Sequence, residues 1–162
     1  MHHSYGSGHP IRMVILSFMA LITAVLFTNV AYAIDPINKT WFRGLAIHGY
    51  DPVAYFTEEK AVEGSDEFEY EWQDATWRFS SAENRDKFIS MPERFAPQYG
   101  GYCAYALAQG LTVDIDPEAW SIVDDKLYLN VNKSIRRTWQ QDLHRYIAQA
   151  DANWPRILIA RE

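Results

Sequence analysis

Cys103, His48 and Asp51 are the side chains here whose types could together hold a soft metal. Sulfur and imidazole, with a carboxylate oxygen beside them, suit copper or zinc. Cys103 is the single cysteine of the 162-residue chain. It lies in the stretch Pro97-Gln98-Tyr99-Gly100-Gly101-Tyr102-Cys103-Ala104-Tyr105-Ala106-Leu107-Ala108-Gln109-Gly110. The two glycines give a flexible entry, Tyr102 to Gln109 contains no helix breaker, and Gly110 stands where a C-terminal cap belongs. A helix over residues 101–109 puts the sulfur in its first turn, near unpaired N–H groups that favour thiolate. Burial against Tyr99 and Tyr102 acts the other way, because desolvation disfavours the charge. A working site needs the thiol partly open, and that is the expectation. The competing reading makes Cys103 a small buried hydrophobe on an Ala-rich face.

Nucleophilic catalysis would need a base near that sulfur and a group to orient the base. His48 is the available base, and no oxyanion-hole pattern accompanies it beyond Gly100-Gly101. The chain therefore reads as non-enzymatic. The candidate metal or ligand residues are Cys103, His48, Asp51 and Tyr102, with a second thought for a small-ligand pocket lined by some of the tyrosines.

The elements that must position these residues follow from local pattern. Asp51-Pro52 is a helix-start signal for a short turn carrying Val53, Tyr55 and Phe56. Ahead of it, Trp41 and Phe42 read as tucked onto the body. Phe68, Tyr70 and Trp72 alternate with Glu67, Glu69 and Glu71, which is a strand with one aromatic face. Gln73-Asp74 turns it into a second strand, Thr76–Phe79. Ser80-Ser81-Ala82-Glu83 has the form of a capping box, opening a helix to about Ser90 that Pro92 stops. After the Cys103 helix, residues 111–118 read as irregular. Two strands, 120–123 and 126–130, are joined at Asp124-Asp125 as a second hairpin. Asn132 caps one long amphipathic helix, with Ile135, Trp139, Leu143, Tyr146, Ile147, Ala150 and Trp154 on its apolar side and Pro155 at its end. The architecture is a small α+β domain: two β-hairpins, which could join into one antiparallel sheet, packed with several helices.

Residues 1–33 have the layout of a signal peptide. Arg12 precedes the apolar run Met13–Phe27, and Ala31-Tyr32-Ala33 fits a signal-peptidase site. The run is short of the ~20 residues a membrane span needs. Cleavage after Ala33 would leave a periplasmic or secreted domain, 34–162, without stable membrane insertion. Arg12 is the leader's one Lys or Arg, so its removal takes the net charge from −6 to −7. A domain this acidic, with no basic cluster, is a poor partner for nucleic acid. One cysteine excludes an internal disulfide and CxxC metal knuckles.

The segments Gly49-Tyr50-Asp51-Pro52-Val53-Ala54-Tyr55-Phe56, Trp77-Arg78-Phe79-Ser80-Ser81 running to Phe88, and Pro92-Glu93-Arg94-Phe95 resemble the YHS domain. Tyr99-Gly100-Gly101-Tyr102-Cys103-Ala104, Asp116-Pro117-Glu118-Ala119-Trp120, Lys126–Asn130 and Ala150–Pro155 look like the extension of an exported bacterial branch of that family. The resemblance covers residues 44–158. It implies kinship with TRASH-type metal-binding domains, whose cysteines would fall at Ala54, Ser80 and Asn84. None of these can supply a thiolate, so the family's usual metal site does not carry over. The expected function is that of an exported YHS-type binding protein taking a transition metal or small ligand near Cys103. A thiol-based redox or sensor protein and a structural module without chemistry are the alternatives.

Overall fold

The computed structural model describes His2 and residues 34–159; the expected leader, His2 apart, and the cleavage site expected after Ala33 lie outside the described residues. The domain is α+β, with six α-helices and two separate two-stranded antiparallel sheets among the described residues. In order these are α1 (Ala54–Thr57), β1 (Ser65–Trp72), β2 (Ala75–Phe79), α2 (Ala82–Ser90), α3 (Pro92–Phe95), α4 (Ala104–Ala108), β3 (Asp116–Val123), β4 (Lys126–Asn130), α5 (Lys133–Gln140) and α6 (Leu143–Ile159). Short 3-10 turns cover Ile47–Gly49 and Gln98–Gly101. No helix among the described residues is long and apolar enough to cross a membrane.

The two hairpins do not join. Each closes on a two-residue turn with both φ angles positive: 51° and 57° at Gln73 and Asp74, 50° and 58° at Asp124 and Asp125. That geometry matches the right-handed twist of the flanking strands. β3 starts at Asp116, four residues before the expected Trp120, because the pairing slips between Asp116 and Trp120. The bulge accommodates Pro117, which has no N–H to give to a ladder.

Two apolar clusters share β4. Leu127 and Leu129 face a core built on Trp77, Phe79, Phe88 and Tyr55. Tyr128, on the opposite side, meets Tyr99, Leu107, Trp139 and Ala150. A strand buried on both faces loses the polar alternation of a half-exposed one, and Lys126 alone in β4 is exposed.

Four local readings need correction. Trp41 and Phe42 are not tucked in; they are 97% and 84% exposed. Ser81, not Ser80, caps α2 by accepting from Asn84 N at 3.2 Å, and Glu83 pairs with Lys87 instead of closing a capping box. The single long helix is two, divided at Gln141-Asp142, where the Asp142 carbonyl takes the Tyr146 N–H and begins α6. Pro155 lies inside α6 rather than ending it. Its missing N–H removes one helical bond, but Trp154 and Ile157 pack on the second cluster to either side and hold the helix through.

Candidate functional site

Cys103 does not sit inside a helix. It occupies the N-cap position of α4, with φ −59° and ψ 115°. Tyr99, Gly100 and Gly101 all adopt positive φ, which ends any helical path before it. Asn38 N donates to Gly100 O at 2.8 Å, fastening the N-terminal lead-in there. Gly110 does cap, its N–H donating to Leu107 O while Leu111 N donates to Ala106 O, and Asn153 Nδ2 donates to the Leu107 and Ala108 carbonyls.

The thiol is fully buried, which overturns the expected partial opening. Sγ lies 3.7 Å from Asn130 Oδ1, which also accepts from Tyr105 N. Asn130 is itself buried, so the sulfur faces a core amide and not solvent, although Asn130 Nδ2 has no hydrogen-bond partner among the described residues. We expect native protein to resist a thiol reagent near neutral pH, with or without chelator, and to react once unfolded. Rapid native labelling would contradict this placement.

His48 and Asp51 are not at the sulfur either. Among the described residues there is no group of three or more His, Cys, Asp and Glu that could hold a metal. His48, at φ 59°, faces outward and meets both carboxylate oxygens of Asp114 through Nε2, at 2.9 and 3.0 Å. Burial alone would raise the Asp114 carboxyl. Hydrogen bonds from Asn38 Nδ2, Ile115 N and His48 outweigh it and hold the group below its ordinary value. A depressed carboxylate contributes stability above its unfolded pKa of about 3.9 and loses it as pH falls through the folded value. Asn38→Ala should therefore move the Asp114 midpoint upward in an NMR titration, with the acid limb of stability following. An unmoved midpoint would mean that Asn38 is not a determining donor. Tyr102 is half-buried and gives its hydroxyl to Asp35 O at 3.0 Å.

Asp51 has a structural task of unusual density. Oδ1 accepts from Val53 N and Ala54 N, at 2.8 and 3.3 Å, starting α1. Oδ2 accepts from Ser80 N, Ser80 Oγ and Asn84 Nδ2, at 2.8, 2.7 and 2.7 Å. The three positions that the YHS resemblance assigns to cysteines thus surround one buried carboxylate.

A cavity lies elsewhere, between α1, α3, the β3–β4 hairpin and α5. Its volume is about 570 Å³ and its lining includes Tyr55, Arg94, Trp120, Ser121, Arg136 and Trp139. Tyr55 and Trp120 lie with ring centroids 5.4 Å apart. The Tyr55 hydroxyl donates to Pro117 O at 3.0 Å, and burial pushes the phenol far above its usual range, so it stays neutral. Arg136 lies over Trp120, with Cζ 5.9 Å from the ring centroid, and its Nε donates to Ser121 Oγ at 2.9 Å. Arg94 lies 6.0 Å from the Phe56 and Phe95 centroids. Trp139 Nε1 is buried and has no hydrogen-bond partner among the described residues.

Of the tyrosines considered for a pocket, only Tyr55 lines this one. Trp120, Ser121, Arg94 and Arg136 were not singled out as site residues. A faint signal existed, since Trp120 and Arg136 are large or charged groups flanking the second hairpin. Nothing in their spacing places them together, because the contact is made across the β3–α5 packing. No family model, curated protein or solved structure matches the chain.

Proposed function

We propose that this chain is an exported, non-enzymatic binding protein of the YHS type, whose occupant is a small organic molecule held in the Tyr55–Trp120–Arg136 pocket. The observation that carries the reading is the pocket itself. At about 570 Å³ it falls in the size range of small-molecule sites, and it pairs aromatic walls with a few fixed polar groups. The YHS reading draws support from the convergence of Ala54, Ser80 and Asn84 on Asp51. Copper or zinc at Cys103 draws none from the geometry, since the sulfur is enclosed beside Asn130 and His48 is engaged by Asp114. Reversible thiol oxidation meets the same obstacle, because a buried thiol is out of reach of oxidants until the fold opens.

The test is saturation-transfer NMR on residues 34–162 with indole, phenylacetamide and phenylacetate. At least one should show saturable contact with the protein, and Trp120→Ala should remove it while leaving the denaturation transition cooperative. Silence from all three on folded wild-type protein would sink the reading.

A further inference from the structure

Resting on that reading, we infer that the pocket takes an aromatic carboxylate, with Arg136 as the anchor for the carboxylate and the aromatic wall of Phe56 and Trp120 as the seat for the ring. Arg136 is half-buried and its guanidinium is held in place. Its Nε bond to Ser121 Oγ and its position over Trp120 fix the plane of the fork. Ser121 is itself 5% exposed, so its end of that bond is rigid.

Neither Arg136 nor Arg94 takes part in any ion pair among the described residues. Arg78, Arg85 and Arg145 pair with carboxylates and other described arginines do not, so what sets Arg136 apart is a guanidinium that is both fixed in place and turned to a cavity. A positioned guanidinium without an acidic partner, facing a cavity, is complementary to a carboxylate, whose two oxygens match two parallel N–H donors. Glu59 and Asp125 also line the cavity but are exposed, so water screens them at the mouth. The apolar contribution comes from Phe56 and Trp120, which are half-buried and offer aromatic surface to a planar group, with Tyr55 fully buried behind Trp120. The protein's overall negative charge repels anions at long range. Selection for a carboxylate must therefore come from the local fork.

Calorimetric titration with phenylacetate and phenylacetamide tests this, since the two ligands share shape and ring and differ in charge. Wild-type protein should bind the acid at least tenfold more tightly than the amide, about 1.4 kcal/mol. Arg136→Gln should erase that preference by weakening the acid and sparing the amide. Arg136→Lys, which keeps the charge and loses the fork, should retain only part of it. Arg137→Gln, on an exposed neighbour, makes the same change in net charge and should keep the wild-type preference. Equal binding of acid and amide by wild-type protein overturns the carboxylate assignment while leaving the small-ligand reading standing. So does a preference that survives Arg136→Gln, or one that Arg137→Gln abolishes. If neither compound binds and indole is also silent, both fall together. The wild-type comparison needs no variant to fold.

Discussion

Replacing Asp51 by Ala should destabilise the domain by about 4–5 kcal/mol, among the largest effects of any single polar substitution here. Asp51 is fully buried, and its two oxygens accept from five donors in two distant segments. Truncation leaves those donors facing a void. Each buried group left unpaired costs about 1–3 kcal/mol, less where the structure relaxes or water enters. Asp51→Asn should be nearly as damaging, because its amide NH₂ would confront either the α1 backbone donors or the Ser80–Asn84 donors. Asn84→Ala should cost much less, since the carboxylate keeps four of its five donors. The two sites should couple strongly in a double-mutant cycle, by more than about 1 kcal/mol. Urea denaturation measures all of this. An Asp51→Ala midpoint within error of wild type would show that this cage is not a keystone of the fold.

Asp51 also shows where sequence reading succeeds and where it stops. The Asp-Pro pair announced a helix start, and Oδ1 serves that local task. The work of Oδ2 was invisible, because Ser80 and Asn84 are 29 and 33 residues away and no local pattern encodes that distance. Their meeting also accounts for the displaced cap of α2: Ser80 is occupied with Asp51, and Ser81 takes the capping position. The hairpins were legible because alternation and two-residue turns are local properties. The failure of the hairpins to merge depends on how the edges are covered, which is not local.

Cys103 was misplaced for a similar reason. An Ala-rich run without breakers does favour helix, but Tyr99, Gly100 and Gly101 take positive φ to bring Gly100 against the lead-in. A Cβ built on Gly100 would lie 1.8 Å from Pro36 O. That close approach requires glycine, and the same turn delays the helix until Ala104. The pocket was the least legible feature. Trp120 faces it from a strand that opens on an unforeseen bulge, and Arg136 reaches it from a helix shorter than the one expected. Each residue was assigned to roughly the right element, yet the cavity exists only where those elements meet.

Trp139→Ala should cost about 3–5 kcal/mol, the range for deleting a buried large aromatic. Trp139 is fully buried, packs on Tyr128 with ring centroids 5.3 Å apart, and belongs to the cluster joining α4, β4 and α6. It also lines the Tyr55–Trp120–Arg136 cavity, so truncation would enlarge that cavity from its buried side. Trp139→Phe separates the two roles of the side chain. Phenylalanine keeps an aromatic ring but lacks Nε1–H, a donor that has no partner among the described residues. Losing an unpaired donor relieves a desolvation cost, and this partly offsets the smaller ring's lost packing. The phenylalanine variant should therefore lose well under half of what the alanine variant loses. Urea midpoints at constant m-value provide the comparison. An alanine variant as stable as wild type would remove Trp139 from the core. A phenylalanine variant as unstable as alanine would mean that the indole N–H has a partner, which a bound water or the pocket's own occupant could supply.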